Sequence, residues 1–93
     1  MPPLRIGVVG VGSLGFHHAR IARDLPDTAF AGVHDTDAQR LDQVARELDV
    51  PVHAELDALL DRADALVIAV PTEAHEEVAV RALERGIHVL IEK

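Results

Sequence analysis

The sequence has no cysteine, no tryptophan and no tyrosine, and its only aromatic residues are Phe16 and Phe30. Without cysteine neither a disulfide framework nor a thiolate metal site can form, and no metal centre is expected. A core with so few rings has to be built from Val, Leu, Ile and Ala, which suits helices packed on a buried parallel sheet. Basic residues are also scarce. Nine Lys and Arg face sixteen Asp and Glu for a formal charge of −7, and no basic cluster interrupts the acidic background. Such a surface repels a phosphate backbone, so no nucleic-acid partner is expected. Long apolar runs are missing as well: the longest, residues 65–71, falls far short of the roughly 20 residues that span a bilayer. No membrane association is expected. The start, Met1-Pro2-Pro3-Leu4-Arg5, leads directly into a strand-like run without the basic, apolar and small-residue pattern of a leader, so a cytoplasmic location is expected.

What the chain does contain is one compact domain's worth of alternating pattern, residues 1–93. A chain of this size buries roughly 60 to 65% of the surface its unfolded form exposes, enough for a thin core. Apolar runs of strand length alternate with helical periodicity throughout, the pattern of βαβ units. Strands are predicted at 4–9, 28–34, 50–53, 65–70 and 87–91, with the fourth the most hydrophobic and therefore central. The first helix places Leu14, His18, Ile21, Ala22 and Leu25 on its apolar side and ends at Pro26-Asp27. The second carries a stripe of Leu41, Val44, Ala45 and Leu48, with Thr36 or Asp37 as its N-cap. A short helix holds Leu56, Leu59 and Leu60. The last helix, after Pro71, is predicted to bury Val78, Ala79, Ala82 and Leu83 and to stop at Gly86, where a left-handed residue is needed. The chain ends at Lys93 immediately after the fifth strand, which suggests a sheet cut short and a substrate domain that lies elsewhere.

Between the first strand and the first helix runs Gly10-Val11-Gly12-Ser13-Leu14-Gly15, which fits G-x-G-x-x-G. Each glycine has its own task. Gly10 permits the tight turn, Gly12 lets a pyrophosphate approach the backbone, and Gly15 lets the helix sit close against the sheet. The diphosphate would rest on free N–H groups at the helix N-terminus. A glycine turn alone is a weak signal. Here it follows a strand, opens a helix, and has an acid, Asp35, about 20 residues beyond its last glycine at the end of strand two. Asp35 would accept hydrogen bonds from the adenosine ribose and would repel a 2′-phosphate, so NAD is expected and NADP is less favoured. Arg40, one turn into the following helix, could reach back toward a phosphate and softens that preference. The expected fold is thus α/β: a Rossmann-type doubly wound parallel sheet, strand order 3-2-1-4-5, in three α/β/α layers. No G-K-[ST] is present, which excludes a P-loop phosphotransferase. Methyltransferases that use S-adenosylmethionine also carry an acid after strand two, and only the glycine spacing argues against them.

Together with Pro71-Thr72-Glu73-Ala74-His75 and the ending Gly86-Ile87-His88-Val89-Leu90-Ile91-Glu92-Lys93, the chain resembles the glucose–fructose oxidoreductase/inositol dehydrogenase/rhizopine catabolism (Gfo/Idh/MocA) family over its whole length. The resemblance implies that Pro71, Thr72 and His75 line the nicotinamide end of the crevice, although Val70 stands where that family often has Thr. It also implies that Glu92 and Lys93 match a Glu-Lys-Pro segment whose lysine lies between nicotinamide and the substrate hydroxyl. Lys93 is accordingly the candidate catalytic residue. A lysine there can hydrogen-bond the hydroxyl being oxidised and stabilise developing alkoxide character. His18, on the inner side of the first helix, reads as a packed histidine, and His17 has no assigned role. By resemblance, the function is the cofactor half of an NAD-dependent dehydrogenase that oxidises a secondary hydroxyl of a sugar, nucleotide sugar or cyclitol. The substrate would be held by the missing domain, and the full-length chain would be a homo-oligomer. The alternative from another class is a non-catalytic module that senses NAD(H).

Overall fold

The computed structural model describes residues 3–92. Four parallel strands, β1 (Leu4–Val9), β2 (Thr28–His34), β3 (Ala65–Ile68) and β4 (His88–Ile91), form one sheet in the order β2-β1-β3-β4. The connections contain α1 (Ser13–Asp24), α2 (Ala38–Leu48), α3 (Leu56–Leu60) and α4 (Thr72–Glu84). The turn chemistry read from the sequence recurs at the helix ends. Asp37 caps α2 by accepting from the N–H groups of Gln39 at 3.0 Å and Arg40 at 3.2 Å. Gly86, at φ +75°, follows the end of α4.

Two expectations are corrected. The sheet has four strands among the described residues, not five, because the segment predicted as the third strand lies beside β2 but makes only one parallel bridge, Val33 with Val52. Its ladder consists of Val33 N–H to the Pro51 carbonyl at 3.1 Å and His53 N–H to the Val33 carbonyl at 2.9 Å. Pro51 has no N–H to extend it. Asp49, left-handed at φ 55°, and the bend at Ala54 and Glu55 leave no further length for a strand.

The second correction concerns α1. Of the side predicted to be apolar only Ala22 is buried, together with Gly15 and Ala19, while His18 is half-buried and Leu14, Ile21 and Leu25 are 44%, 55% and 42% exposed. A Cβ on Gly15 would lie 1.7 Å from the Gly10 carbonyl oxygen, so the helix approaches the sheet on its small-residue side and its larger side chains turn outward. Leu83 of α4 is likewise exposed, while Val78, Ala79 and Ala82 are buried.

Strand alternation sorts the core into two layers. On one face Val9, Leu66 and Ile68 pack with α3 and α4 residues, including Leu56, Leu59, Val78 and Ala82. On the other, Val8 and Val33 pack with Ala19 of α1 and Leu41, Val44 and Leu48 of α2. Both faces of the inner half of β1 are therefore covered, as its near-continuous apolar character requires. The β1–β3 boundary, where the chain leaves for opposite faces, is the topological switch point of such a sheet.

Candidate functional site

The strand ends of β1 and β3 open into a cleft of about 700 Å³. One wall is the glycine turn. Gly10 is at φ +91°, and a Cβ there would meet the Ala69 backbone at 2.8 Å, so the turn can pass over β3 only as glycine. Its N–H donates to the His34 carbonyl at 2.8 Å. Gly12 is the N-cap of α1 and supplies no side-chain cap, and no acidic residue occupies the first turn. The first helical bond runs from Phe16 N–H to the Gly12 carbonyl at 2.8 Å, so the N–H groups of Ser13, Leu14 and Gly15 precede it. A Cβ built on Gly12 meets nothing within 4 Å. No protein atom demands glycine at that position, and the space a side chain would fill opens on donors at a helix N-terminus, which is the shape of an anion cradle.

Asp35 closes the β2 side. One carboxylate oxygen accepts the Val11 N–H at 2.9 Å and the other accepts the Asp37 N–H at 2.9 Å. Each oxygen keeps a second acceptor site, so the group remains able to receive hydroxyl donors from the cleft. Val11 itself does not line the cleft. Its side chain is fully buried, its N–H is held by Asp35, and its carbonyl accepts from Arg40 Nε at 2.5 Å. Arg40 also lies 5.4 Å over the Phe16 ring and bonds Gln43 at 2.9 Å. Its guanidinium is thereby pinned against the outer side of the glycine turn.

The opposite wall comes from the β3–α4 connection and the end of β4. Pro71, Thr72, His75 and Glu92 all line the same cleft as Gly10, Gly12, Ser13, Leu14, Gly15 and Asp35. His75 Nε2 lies 2.6 Å from the Val70 carbonyl oxygen, so that nitrogen carries a proton and donates it, clasping the turn that contains Pro71. Glu92 donates its N–H to the Ile68 carbonyl at 2.9 Å, and its carboxylate lies 3.0 Å from His18 Nε2. Lys93 lies outside the described residues.

Sequence reasoning missed His34, which is 8% exposed, lines the cleft, and places Nδ1 2.8 Å from the His53 carbonyl. Its position next to Asp35 at the end of β2 was the available signal. Arg81 also lines the cleft, tied to Asp57 at 2.5 Å. Among the described residues no group of three or more His, Cys, Asp or Glu could hold a metal ion, and no helix is long and apolar enough to cross a membrane.

Comparisons with known proteins agree with this geometry. Residues 4–93 match the family model described as "Oxidoreductase family, NAD-binding Rossmann fold". The chain is 43% identical over 90 residues to UDP-N-acetylglucosamine 3-dehydrogenase of Acidithiobacillus ferrooxidans, covering 97% of this chain and 28% of that protein. It is 38% identical to inositol 2-dehydrogenase 4 of Saccharopolyspora erythraea, again covering 97% of this chain and 28% of the relative. Among solved structures, GenD2 from gentamicin A biosynthesis in complex with NAD superposes with a TM-score of 0.89 at 30% identity, covering all of this chain and 27% of that one. The chain thus spans under a third of the length of these relatives. A cleft at the switch point, an open glycine cradle and a family match from residue 4 onward lead to one assignment: the chain belongs to the Gfo/Idh/MocA oxidoreductase family, as its NAD-binding Rossmann domain.

Proposed function

We propose that the chain is the cofactor-binding part of a dehydrogenase that moves hydride from a secondary hydroxyl of a sugar, nucleotide sugar or cyclitol to NAD. The observation that carries this reading is Gly12, a glycine required by no protein contact and open to the N-terminus of α1. In the proposed arrangement Gly10, Gly12 and Gly15 shape the cradle for the diphosphate, which accepts from the N–H groups of Ser13 and Leu14. Val11 acts from behind, through Asp35. The Asp35 carboxylate receives the adenosine ribose hydroxyls and disfavours a 2′-phosphate. Pro71, Thr72, His75 and Glu92 border the nicotinamide half.

Bound NAD would supply the hydride acceptor. Lys93 would hydrogen-bond the reacting hydroxyl and offset charge developing on its oxygen. The relatives' names support this substrate class: one acts on UDP-N-acetylglucosamine, another on inositol. Further groups that hold substrate would come from chain beyond this domain, within a homo-oligomer.

Calorimetric titration with NAD and NADP tests the binding half. NAD is expected to bind more tightly than NADP. Gly12→Val should abolish measurable NAD binding while the circular dichroism spectrum stays unchanged; retained NAD affinity in that variant would remove the diphosphate from this cradle.

A further inference from the structure

We infer that His18 is a positioning residue for the nicotinamide half of the cleft, acting by holding the Glu92 carboxylate on the α1 side. The inference rests on the cofactor reading above and extends it to a residue that touches neither cofactor nor substrate. His18 stands one helical turn beyond Leu14, which lines the cleft, and its Nε2 lies 3.0 Å from Glu92 Oε1. The two side chains remain partly open, 24% and 35% exposed, yet the Nε2 atom itself is shut off from solvent. Despite the short separation, the pair lacks the alignment of a full hydrogen bond, and this nitrogen has no other partner. A buried ring nitrogen in that state is unfavourable unless it engages its neighbour, so a small rotation of the carboxylate has a clear driving force.

The backbone places the Glu92 side chain on the α1 side. Its backbone is fixed by the bond to Ile68, so the side chain alone can vary. Val67 and Leu90 are register partners, and alternation along β4 puts Glu92 on the same face as Leu90. Val67 packs against the layer that contains Ala19 of α1, so this is the face on which α1 lies. The helix whose N-terminus forms the diphosphate cradle is thereby linked to the end of β4 by one side-chain pair. The dinucleotide lies across the switch point with adenosine toward Asp35, so Glu92 sits at the other half. A loose Glu92 carboxylate could swing across that half.

The test compares NAD with ADP, which lacks the nicotinamide nucleoside, on the purified chain by calorimetry. His18→Leu is expected to weaken NAD binding about five-fold, the scale of one ordinary net hydrogen bond, and to leave ADP binding unchanged. His18→Gln, which restores an N–H donor at similar reach, should return NAD affinity to the unmodified level. Glu92→Leu provides the same selective loss from the other partner, and combined with His18→Leu it should add nothing further. Equal weakening of NAD and ADP by His18→Leu would show a general disturbance of α1 and overturn the inference. A His18→Gln variant as impaired as His18→Leu, or additive losses in the double variant, would overturn it too. Absence of any NAD and ADP binding by the unmodified chain is a different result: it would take down the cofactor reading itself, and this inference with it.

Discussion

Gly12 and Gly15 belong to one turn yet are glycines for different reasons. At Gly15 the reason is internal, because an added Cβ would collide with the Gly10 carbonyl oxygen. At Gly12 no internal reason exists, because the space stays open, and the proposed diphosphate would supply an external one. Gly15→Ala is therefore expected to destabilise the domain by about 3 kcal/mol, the upper end for overpacking against backbone that cannot yield. Gly12→Ala should cost under about 1 kcal/mol, the scale of a changed N-cap. Urea unfolding followed by circular dichroism separates the two; equal losses would contradict the assignment of separate roles. The glycine spacing and Asp35 were legible in the sequence because they answer to backbone geometry, which residue type and spacing encode. Arg40 was legible only as a cation near the turn. That its Nε bonds the Val11 carbonyl depends on where that carbonyl points, and periodicity carries no such information. His34 escaped for a related reason: its partner, the His53 carbonyl, lies in a segment that forms only an isolated bridge.

Among the elements, β1 begins under a two-sided clamp. Asp64, between α3 and β3, accepts the Arg5 N–H at 3.0 Å and the Arg5 guanidinium at 3.1 and 3.2 Å, and donates its own N–H to the Arg5 carbonyl at 2.7 Å. The Arg5 side-chain bond, followed by the Arg5 N–H, holds the Asp64 carboxyl below its ordinary value. Both groups are exposed, so solvent screens the pair and its contribution is small. A native pKa below the unfolded one gives stability that is present above the unfolded value, about 3.9, and lost as pH falls through the lower native value. Asp64→Asn should therefore lower the unfolding midpoint slightly at neutral pH, and the difference should shrink as pH falls through the native value of Asp64. A variant that loses as much stability in acid as at neutrality would argue against the clamp. For α1 the sequence permits two stripes that share Ala22, one with Leu14, His18, Ile21 and Leu25 and one with Gly15 and Ala19, and hydropathy favours the first. Close helix–sheet approach selects the second. The role given to Gly15 already contained that answer, since a glycine that admits close packing has to face the sheet.

For the whole molecule, ligand binding and stability are the same measurement. A ligand that binds only the folded form at 100 times its dissociation constant adds about 2.7 kcal/mol. In a domain of this length each kcal/mol moves the melting temperature by several degrees, so saturating NAD should raise it by on the order of 10 °C. The same concentration of NADP should raise it less; an equal or larger shift would overturn the ribose role of Asp35. The absence of tryptophan and tyrosine makes NADH emission a clean second readout. The doubly wound arrangement was readable because strand-length apolar runs alternate with helical stripes, and the strand order was readable only through the dinucleotide-binding fingerprint that this alternation frames. The third strand was not, because pattern shows where apolar residues fall but not whether a proline leaves enough donors for a ladder.

Val8 and Val9 are neighbours in sequence but belong to different cores, one shared with α1 and α2, the other with α3 and α4. The two walls of the cleft are consequently seated on separate packing units that meet along β1 and β3. A dinucleotide lying across the seam would act as an external brace, joining from outside two halves that the chain joins mainly through its central strands. Its binding would then register less as a movement than as a gain in stiffness, felt on both faces of the sheet at once.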